Sequence, residues 1–315
     1  MSNNPNTPVR LGLIGAGRWG RNYIKTIRAL PTLRLSALAS RNPASKDLVD
    51  SSCRVTPDWH ELLDPQLVDG VIIATPPDLH VEMLEAAMRA RLPAMIEKPL
   101  TLNLADAMKL ESLQHEFNTL VLVDHTWLFN SAFIELNRQA QELGRIRAIH
   151  SESGNWGPFR DYTALWDWGP HDLSVTLTLM RQSPSTIRIE ELKRQHVENT
   201  IAGNYQIELG FQNDVRVSIK LGNLFENKTV RLTVELERGT LLFDDLATDK
   251  LIQRDDKTGR TTTIKLDDKL PLTRAVETFV AGIRGGPTAY FGLNLAVEIA
   301  RVLDHEANSG GEAHS

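Results

Sequence analysis

The chain holds one cysteine, Cys53, in 315 residues. An intramolecular disulfide is therefore excluded. So is a zinc or iron–sulfur site built from several thiolates, and the count fits a reducing cytosol. Long apolar runs are missing as well. No stretch approaches the ~20 residues of a transmembrane helix, so no membrane association is expected. Positive charge is not in excess: Lys and Arg total 35 against 40 Asp and Glu, a formal net charge of −5. Nothing in that balance neutralises a nucleic-acid backbone. The opening MSNNPNTP lacks the apolar core of a signal peptide, and residues 1–8 read as a frayed tail. SGGEAHS at the other end reads as a disordered tail over 308–315. Internal repeats and low-complexity tracts are absent.

What is present is ordinary globular material, 41% hydrophobic and 24% charged. The length favours two domains. Through residue ~123, apolar runs at Val9–Gly15, Leu33–Ser40, Val68–Pro76, Pro93–Lys98 and Leu120–Asp124 read as strands. They are apolar at nearly every position, as in a parallel sheet buried on both faces. Helical patterns lie between them near 18–30, 43–50, 58–63, 79–91 and 103–117. This alternation predicts a doubly wound α/β domain over 9–123.

Beyond it the pattern changes. Residues 131–143 read as a helix ended by Gly144, and 172–181 as another. Val230, Leu232, Val234 and Leu236 then alternate with Arg231, Thr233 and Glu235, the mark of a sheet with one wet face. Turns are expected at Asn213-Asp214 and Arg238-Gly239, and the charged cluster 244–257 reads as a solvated hairpin. The expectation is an α+β domain over 124–290 with an open, mainly antiparallel sheet. A helix within 291–307 is expected to pack back near the first domain. An open sheet has a face to bury, so a homodimer or homotetramer through it is expected.

Gly15-Ala16-Gly17-Arg18-Trp19-Gly20 follows the first strand and opens a helix. In that context G-x-G-x-x-G is a dinucleotide fingerprint of the Rossmann type. Gly15 permits the tight turn, Gly17 the approach of a pyrophosphate, and Gly20 close helix–strand packing. The phosphates then meet the positive end of the helix dipole beside Arg18 and Trp19. At the end of the second strand, where an NAD site places Asp or Glu, stand Ser40 and Arg41. A hydroxyl and a guanidinium suit a 2′-phosphate, so the sequence leans towards NADP, with NAD as the alternative. Otherwise Arg41 stacks on the adenine or lies in solvent.

Lys98 leaves the fifth strand at its carboxyl end, where ligands bind in such sheets. Further on, WDWGPHDLS (Trp166–Ser174) places Asp167, His171 and Asp172 within six residues. If Asp167–His171 begins a helix, positions i and i+4 share a face. Asp172 points elsewhere and reads as a helix cap. A metal site made from His125, Asp167, His171 and Asp172 is the rival reading, but it leaves the glycine loop unexplained.

Taken in order, Gly15–Gly20, Thr75-Pro76 with His80, Glu97-Lys98-Pro99 and Asp167-x-Gly169-x-His171 resemble the Gfo/Idh/MocA family of NAD(P)-dependent oxidoreductases over nearly the whole chain. His125–Asn130, Asn155-Trp156-Gly157 and Trp166–Asp172 further resemble a branch associated with sugars and nucleotide sugars. The resemblance implies that Lys98, Asp167 and His171 are catalytic. His171 would exchange the substrate hydroxyl proton, Lys98 hold the same oxygen, and Asp167 hydrogen-bond a neighbouring hydroxyl or tune His171. It also implies that Thr75, Pro76, His80, Glu97 and Lys98 line the cofactor pocket, and that the Lys98–Pro99 bond is cis. Trp127, Asn155, Trp156, Arg160 and Tyr162 lie near the motif and are candidates for substrate contact. His125 is either a ligand or a buried core histidine. The expected ligand is a small sugar-like molecule: an aldose, a cyclitol or a nucleotide sugar. The competing function is a non-catalytic dinucleotide-binding sensor on the same fold, which has no need of all three catalytic residues.

Overall fold

The computed structural model describes residues 7–197 and 199–305. Apart from Thr7 and Pro8, the expected tails 1–8 and 308–315 lie outside these residues, as do 306–307 of the expected last helix.

The elements of the first half are β1 (Val9–Ile14), α1 (Arg18–Ala29), β2 (Leu33–Ala39), β3 (Arg54–Thr56), β4 (Gly70–Ile73), α2 (His80–Arg89), β5 (Ala94–Glu97), α3 (Leu104–Phe117) and β6 (Val121–Asp124). The six strands form one parallel sheet in the order β3-β2-β1-β4-β5-β6. Apolar strands suit burial on both faces: Leu11, Leu13, Val71, Ile72, Ile73, Met95 and Ile96 are wholly buried. Removing such a side chain from water stabilises by ~1.5–3 kcal/mol. β3 has three residues with Arg54 exposed, too short and polar to stand out from sequence. The expected helices near 43–50 and 58–63 are shorter turns of 3-10 helix, Pro43–Leu48 and Trp59–Leu62, capped by Asn42 and Asp58.

The second half contains α4 (Ser131–Leu143), β7 (Ile146–Trp156), α5 (Ala164–Met180), β8 (Thr186–Val197), β9 (Thr200–Gly210), β10 (Arg216–Gly222), β11 (Leu224–Leu236), β12 (Gly239–Asp244), β13 (Leu251–Arg254), β14 (Thr261–Thr263), α6 (Pro271–Ile283) and α7 (Asn294–Leu303). Among the described residues, eight strands form a second sheet in the order β14-β13-β12-β11-β7-β10-β9-β8. The β7–β10 pair is parallel and the other pairs antiparallel. α5 packs on β7, β9 and β10.

Two differences from the sequence expectation concern the site. α5 starts at Ala164, eight residues before the expected 172, and carries Gly169 and Pro170 inside it. Proline lacks an N–H, so the helix gives up the bond to the carbonyl four residues back and continues. Secondly, the chain divides into two compact units: one through His125 together with Leu272–Val297, the other Thr126–Pro271 together with the chain from Glu298. The expected boundary at 290 does not coincide with this division. α6 belongs with the first unit because Phe279 and Ile283 pack against Gly70, where a side chain would come within 3.1 Å of both.

Candidate active site

In the first unit the glycine loop links β1 to α1. Gly15 has φ +103°, and a Cβ there would lie 2.5 Å from the Ala74 carbonyl oxygen. A Cβ on Gly20 would lie 2.1 Å from the Gly15 carbonyl oxygen. Both positions therefore demand glycine. Gly17 is different: a Cβ there meets nothing within 4 Å. It is exposed, it is the N-cap of α1, and no side chain caps that helix end. A cradle of backbone before an uncapped helix N-terminus fits a pyrophosphate. Arg18, exposed, and Trp19, half-buried, form the first turn of α1.

Ser40 and Arg41 follow β2. The Ser40 hydroxyl lies 2.8 Å from that of Ser45 and accepts the Asn42 N–H at 3.2 Å. Arg41 is exposed. Thr75 is half-buried and Pro76 exposed after β4. His80, for which the resemblance implies a cofactor contact, opens α2. Its ring is buried, with Nε2 3.0 Å from the Thr75 carbonyl oxygen and Nδ1 2.9 Å from that of Pro99. It spans the loops that follow β4 and β5, and burial holds its pKa below the ordinary histidine value.

Glu97 also lies beneath the surface, where the Tyr23 hydroxyl reaches both Glu97 Oε1, at 3.0 Å, and Asp124 Oδ2, at 2.6 Å. Burial and then the neighbouring Asp124 charge push the Glu97 carboxyl up to about 8. Lys98 comes next and is half-buried, and its bond to Pro99 is cis. His125 follows β6. It is buried with neither ring nitrogen hydrogen-bonded. Burial and then the Lys98 charge lower its pKa to about 3, so the imidazole is neutral.

In the second unit α5 gathers four of the expected residues. Asp167 is buried in its first turn, with Oδ2 3.5 Å from Arg160 Nε. One turn on, the His171 ring stacks on Trp127 with centroids 4.9 Å apart and planes 16° from parallel. Asn155 and Tyr162 are half-buried nearby in sequence. Trp156 is 52% exposed and meets the edge of Phe159.

Asp172 is not a helix cap. It sits mid-helix, 1% exposed, and accepts the Ser151 hydroxyl at 2.6 Å and the Ser153 hydroxyl. Those serines alternate on β7, so Asp172 fastens α5 to the sheet. With Asp172 so engaged, the metal reading loses a ligand, and among the described residues no group of three or more His, Cys, Asp and Glu is placed to hold an ion. The sequence reading missed Tyr23, Asp124, Ser151 and Ser153. One signal was available for Asp124: parallel strands ending together place it beside Glu97.

Comparison with known proteins agrees with this geometry. Residues 9–125 match the oxidoreductase family with an NAD-binding Rossmann fold, and residues 138–242 match the Gfo/Idh/MocA C-terminal domain. A crystal structure from Magnetospirillum magnetotacticum MS-1 is 40% identical, with a TM-score of 0.87 over 94% of this chain and 99% of that one. The UDP-N-acetylglucosamine 3-dehydrogenase of Acidithiobacillus ferrooxidans is 30% identical over 57% of each chain. Inositol 2-dehydrogenase 2 of Saccharopolyspora erythraea is 27% identical over 68% of each. The first of these two curated relatives is thus matched over little more than half its length. Fingerprint, sheet order, second sheet and relatives converge: the chain belongs to the Gfo/Idh/MocA family of oxidoreductases, with an NAD(P)-binding Rossmann domain.

Proposed function

We propose that the chain is an NAD(P)-dependent dehydrogenase or reductase acting on a secondary alcohol or ketone of a sugar, cyclitol or nucleotide sugar. The observation that carries this reading is the cluster on α5. A buried carboxylate, Asp167, and an imidazole, His171, stand one turn apart, with Arg160 and Trp127 against them. A charged pair and an aromatic face suit a polyhydroxylated ring. The curated relatives support the substrate class, since they are named for a nucleotide sugar and a cyclitol.

When bound, the nicotinamide supplies the hydride acceptor or donor. The rest of the work falls to the chain. Gly15, Gly17 and Gly20 with the α1 N-terminus hold the pyrophosphate. Ser40 and Arg41 take a 2′-phosphate, which favours NADP over NAD. Thr75 and Pro76 border the cofactor. Lys98 holds the reacting oxygen and steadies its negative charge. His171 takes or gives the hydroxyl proton at its ring nitrogen. Asp167, held by Arg160, bonds a neighbouring hydroxyl, and Asn155 and Trp127 complete the substrate contacts.

A panel of aldoses, cyclitols and nucleotide sugars, assayed with both dinucleotides by absorbance of the reduced nicotinamide, tests the proposal. Turnover of at least one is expected. His171→Ala should lower kcat by ~10²–10⁴-fold, the range for a lost acid–base group, with dinucleotide affinity little changed. Dinucleotide binding without turnover of any substrate favours the sensor reading instead, and normal kcat in His171→Ala removes His171 from the proton transfer.

A further inference from the structure

Tyr23 lies on α1, Glu97 ends β5 and Asp124 ends β6. The two acids are register partners on adjacent parallel strands, and all three side chains are buried. The Tyr23 oxygen is 2.6 Å from Asp124 Oδ2 and 3.0 Å from Glu97 Oε1. A phenol has one proton to donate. If it goes to one carboxylate, the other contact sets oxygen lone pairs face to face, unless that carboxyl brings a proton of its own. Two ionised carboxylates buried side by side are also strongly disfavoured. The 2.6 Å bond has the length of a hydroxyl donating to an ionised acid, which makes Asp124 the carboxylate. Glu97 then carries the proton and donates it to the phenol oxygen, in keeping with the rise of its carboxyl to about 8.

Among the described residues, the following charged and titratable groups act on this unit. Asp124 faces Glu97 from β6 and Tyr23 faces it from α1; Lys98 acts on it from the next residue of its own strand exit. His125, at the β6 exit, feels the Lys98 charge and stays neutral. While Glu97 is protonated, Asp124 is the one carboxylate of the unit, and Glu97 is the member on which the Lys98 charge acts. If Glu97 gives its proton to solvent, a second carboxylate appears there.

We infer that Glu97, Tyr23 and Asp124 form a one-proton unit next to Lys98: while Glu97 holds the proton the unit carries one negative charge, and when the proton is lost a second charge acts on the Lys98 ammonium and draws it from the substrate oxygen. Glu97 is thus a positioning residue that acts through Lys98, and the inference rests on the role proposed for Lys98 above.

Infrared difference spectroscopy on the full chain without ligand, between about pH 6 and 9 to bracket the carboxyl's range, tests the unit directly. The wild type should show the carbonyl stretch of a buried protonated carboxyl that vanishes as pH rises. Glu97→Gln should lack that band. Asp124→Asn keeps an acceptor for Tyr23 but removes the negative charge, so the band should titrate at lower pH. The kcat/KM profile tests the link to Lys98. The wild type should lose activity on the alkaline side, at lower pH in Asp124→Asn, and the Glu97→Gln profile should lack that limb. A missing band, or one that survives Glu97→Gln, overturns the inference. An alkaline limb unchanged in Glu97→Gln overturns the link to Lys98. The expected band in a protein that turns over no sugar, cyclitol or nucleotide sugar overturns the proposed function and leaves the proton unit standing.

Discussion

A methyl group placed on Gly17 meets nothing, whereas one on Gly15 or Gly20 strikes backbone oxygen. The three glycines of one motif thus separate by experiment. Gly17 has φ −69°, which alanine adopts without strain. Gly17→Ala should therefore change stability by no more than about 0.5 kcal/mol. Its methyl occupies the space that a pyrophosphate needs, so dinucleotide affinity should fall tenfold or more, a loss of at least ~1.4 kcal/mol. Equal dinucleotide affinity in wild type and variant, read by titration of cofactor fluorescence, would remove the phosphates from this loop. Gly20→Ala should instead lower the melting temperature, because the Gly15 carbonyl must move. Arg41 belongs to the same scale. It is exposed, so its truncation costs the fold little. Arg41→Ala should weaken NADP more than NAD, by the ~1.5–3 kcal/mol of a charge-assisted bond, roughly ten- to a hundredfold. Equal losses for the two dinucleotides would remove the 2′-phosphate from Arg41.

At the scale of elements, α5 shows what its sequence conveys and what it hides. Gly169-Pro170 reads as a break, yet the helix runs through it from Ala164. A proline near the start of a helix forfeits one bond, and burial of Leu165, Leu173, Val175 and Leu177 outweighs that loss. The i, i+4 relation of Asp167 and His171 was legible because helix geometry is local. The task of Asp172 was not, because Ser151 and Ser153 are 21 and 19 residues away. The Tyr23–Glu97–Asp124 unit is likewise hidden, its bonds spanning 74 and 101 residues. Five strands of the Rossmann sheet were legible from their apolar runs alone, and β3 was not. Asp172→Ala leaves the buried Ser153 hydroxyl without its acceptor, at about 1–3 kcal/mol, and leaves Ser151 only the Arg231 carbonyl oxygen at 3.3 Å. Thermal or denaturant unfolding should show a loss larger than the ~0.5–2 kcal/mol of a missing cap. Burial raises the Asp172 carboxyl from 3.8 to about 6. Between these values the folded state holds a proton that the unfolded state has released, so this group's contribution to stability declines as pH rises. Asp172→Asn should flatten that part of the stability–pH curve; a curve of unchanged slope would show that Asp172 is ionised throughout.

At the scale of the whole molecule, the second sheet is the surface through which we propose that copies of the chain meet. α5 covers one face of its central strands. The other face carries many charged or polar residues that are at least part-exposed, with Ala148 and Leu242 among them. Lys220 pairs with Glu152 at 3.2 Å, Arg231 with Asp244 at 2.9 Å, and His150 lies 3.9 Å from Glu235. Gln206 and Glu208 bond the Ser218 hydroxyl between them. Exposed pairs of this kind contribute ~0–1 kcal/mol each to a monomer. An open sheet face of eight strands nevertheless offers a broad surface for a second copy, and we propose a dimer or tetramer through it. An isologous contact brings the same charges to both partners, so its strength depends on how they interleave and on how far salt screens them. Light scattering at micromolar concentration should give two or four times the mass of one chain, falling as ionic strength rises. Lys220→Glu with Arg231→Glu reverses two charges in the middle of the face and should shift the population to monomer, at a small cost to the monomer itself because the new acids face Glu152 and Asp244. A single-chain mass for the wild type at low salt would end the proposal. An oligomer indifferent to both salt and charge reversal would place the interface elsewhere.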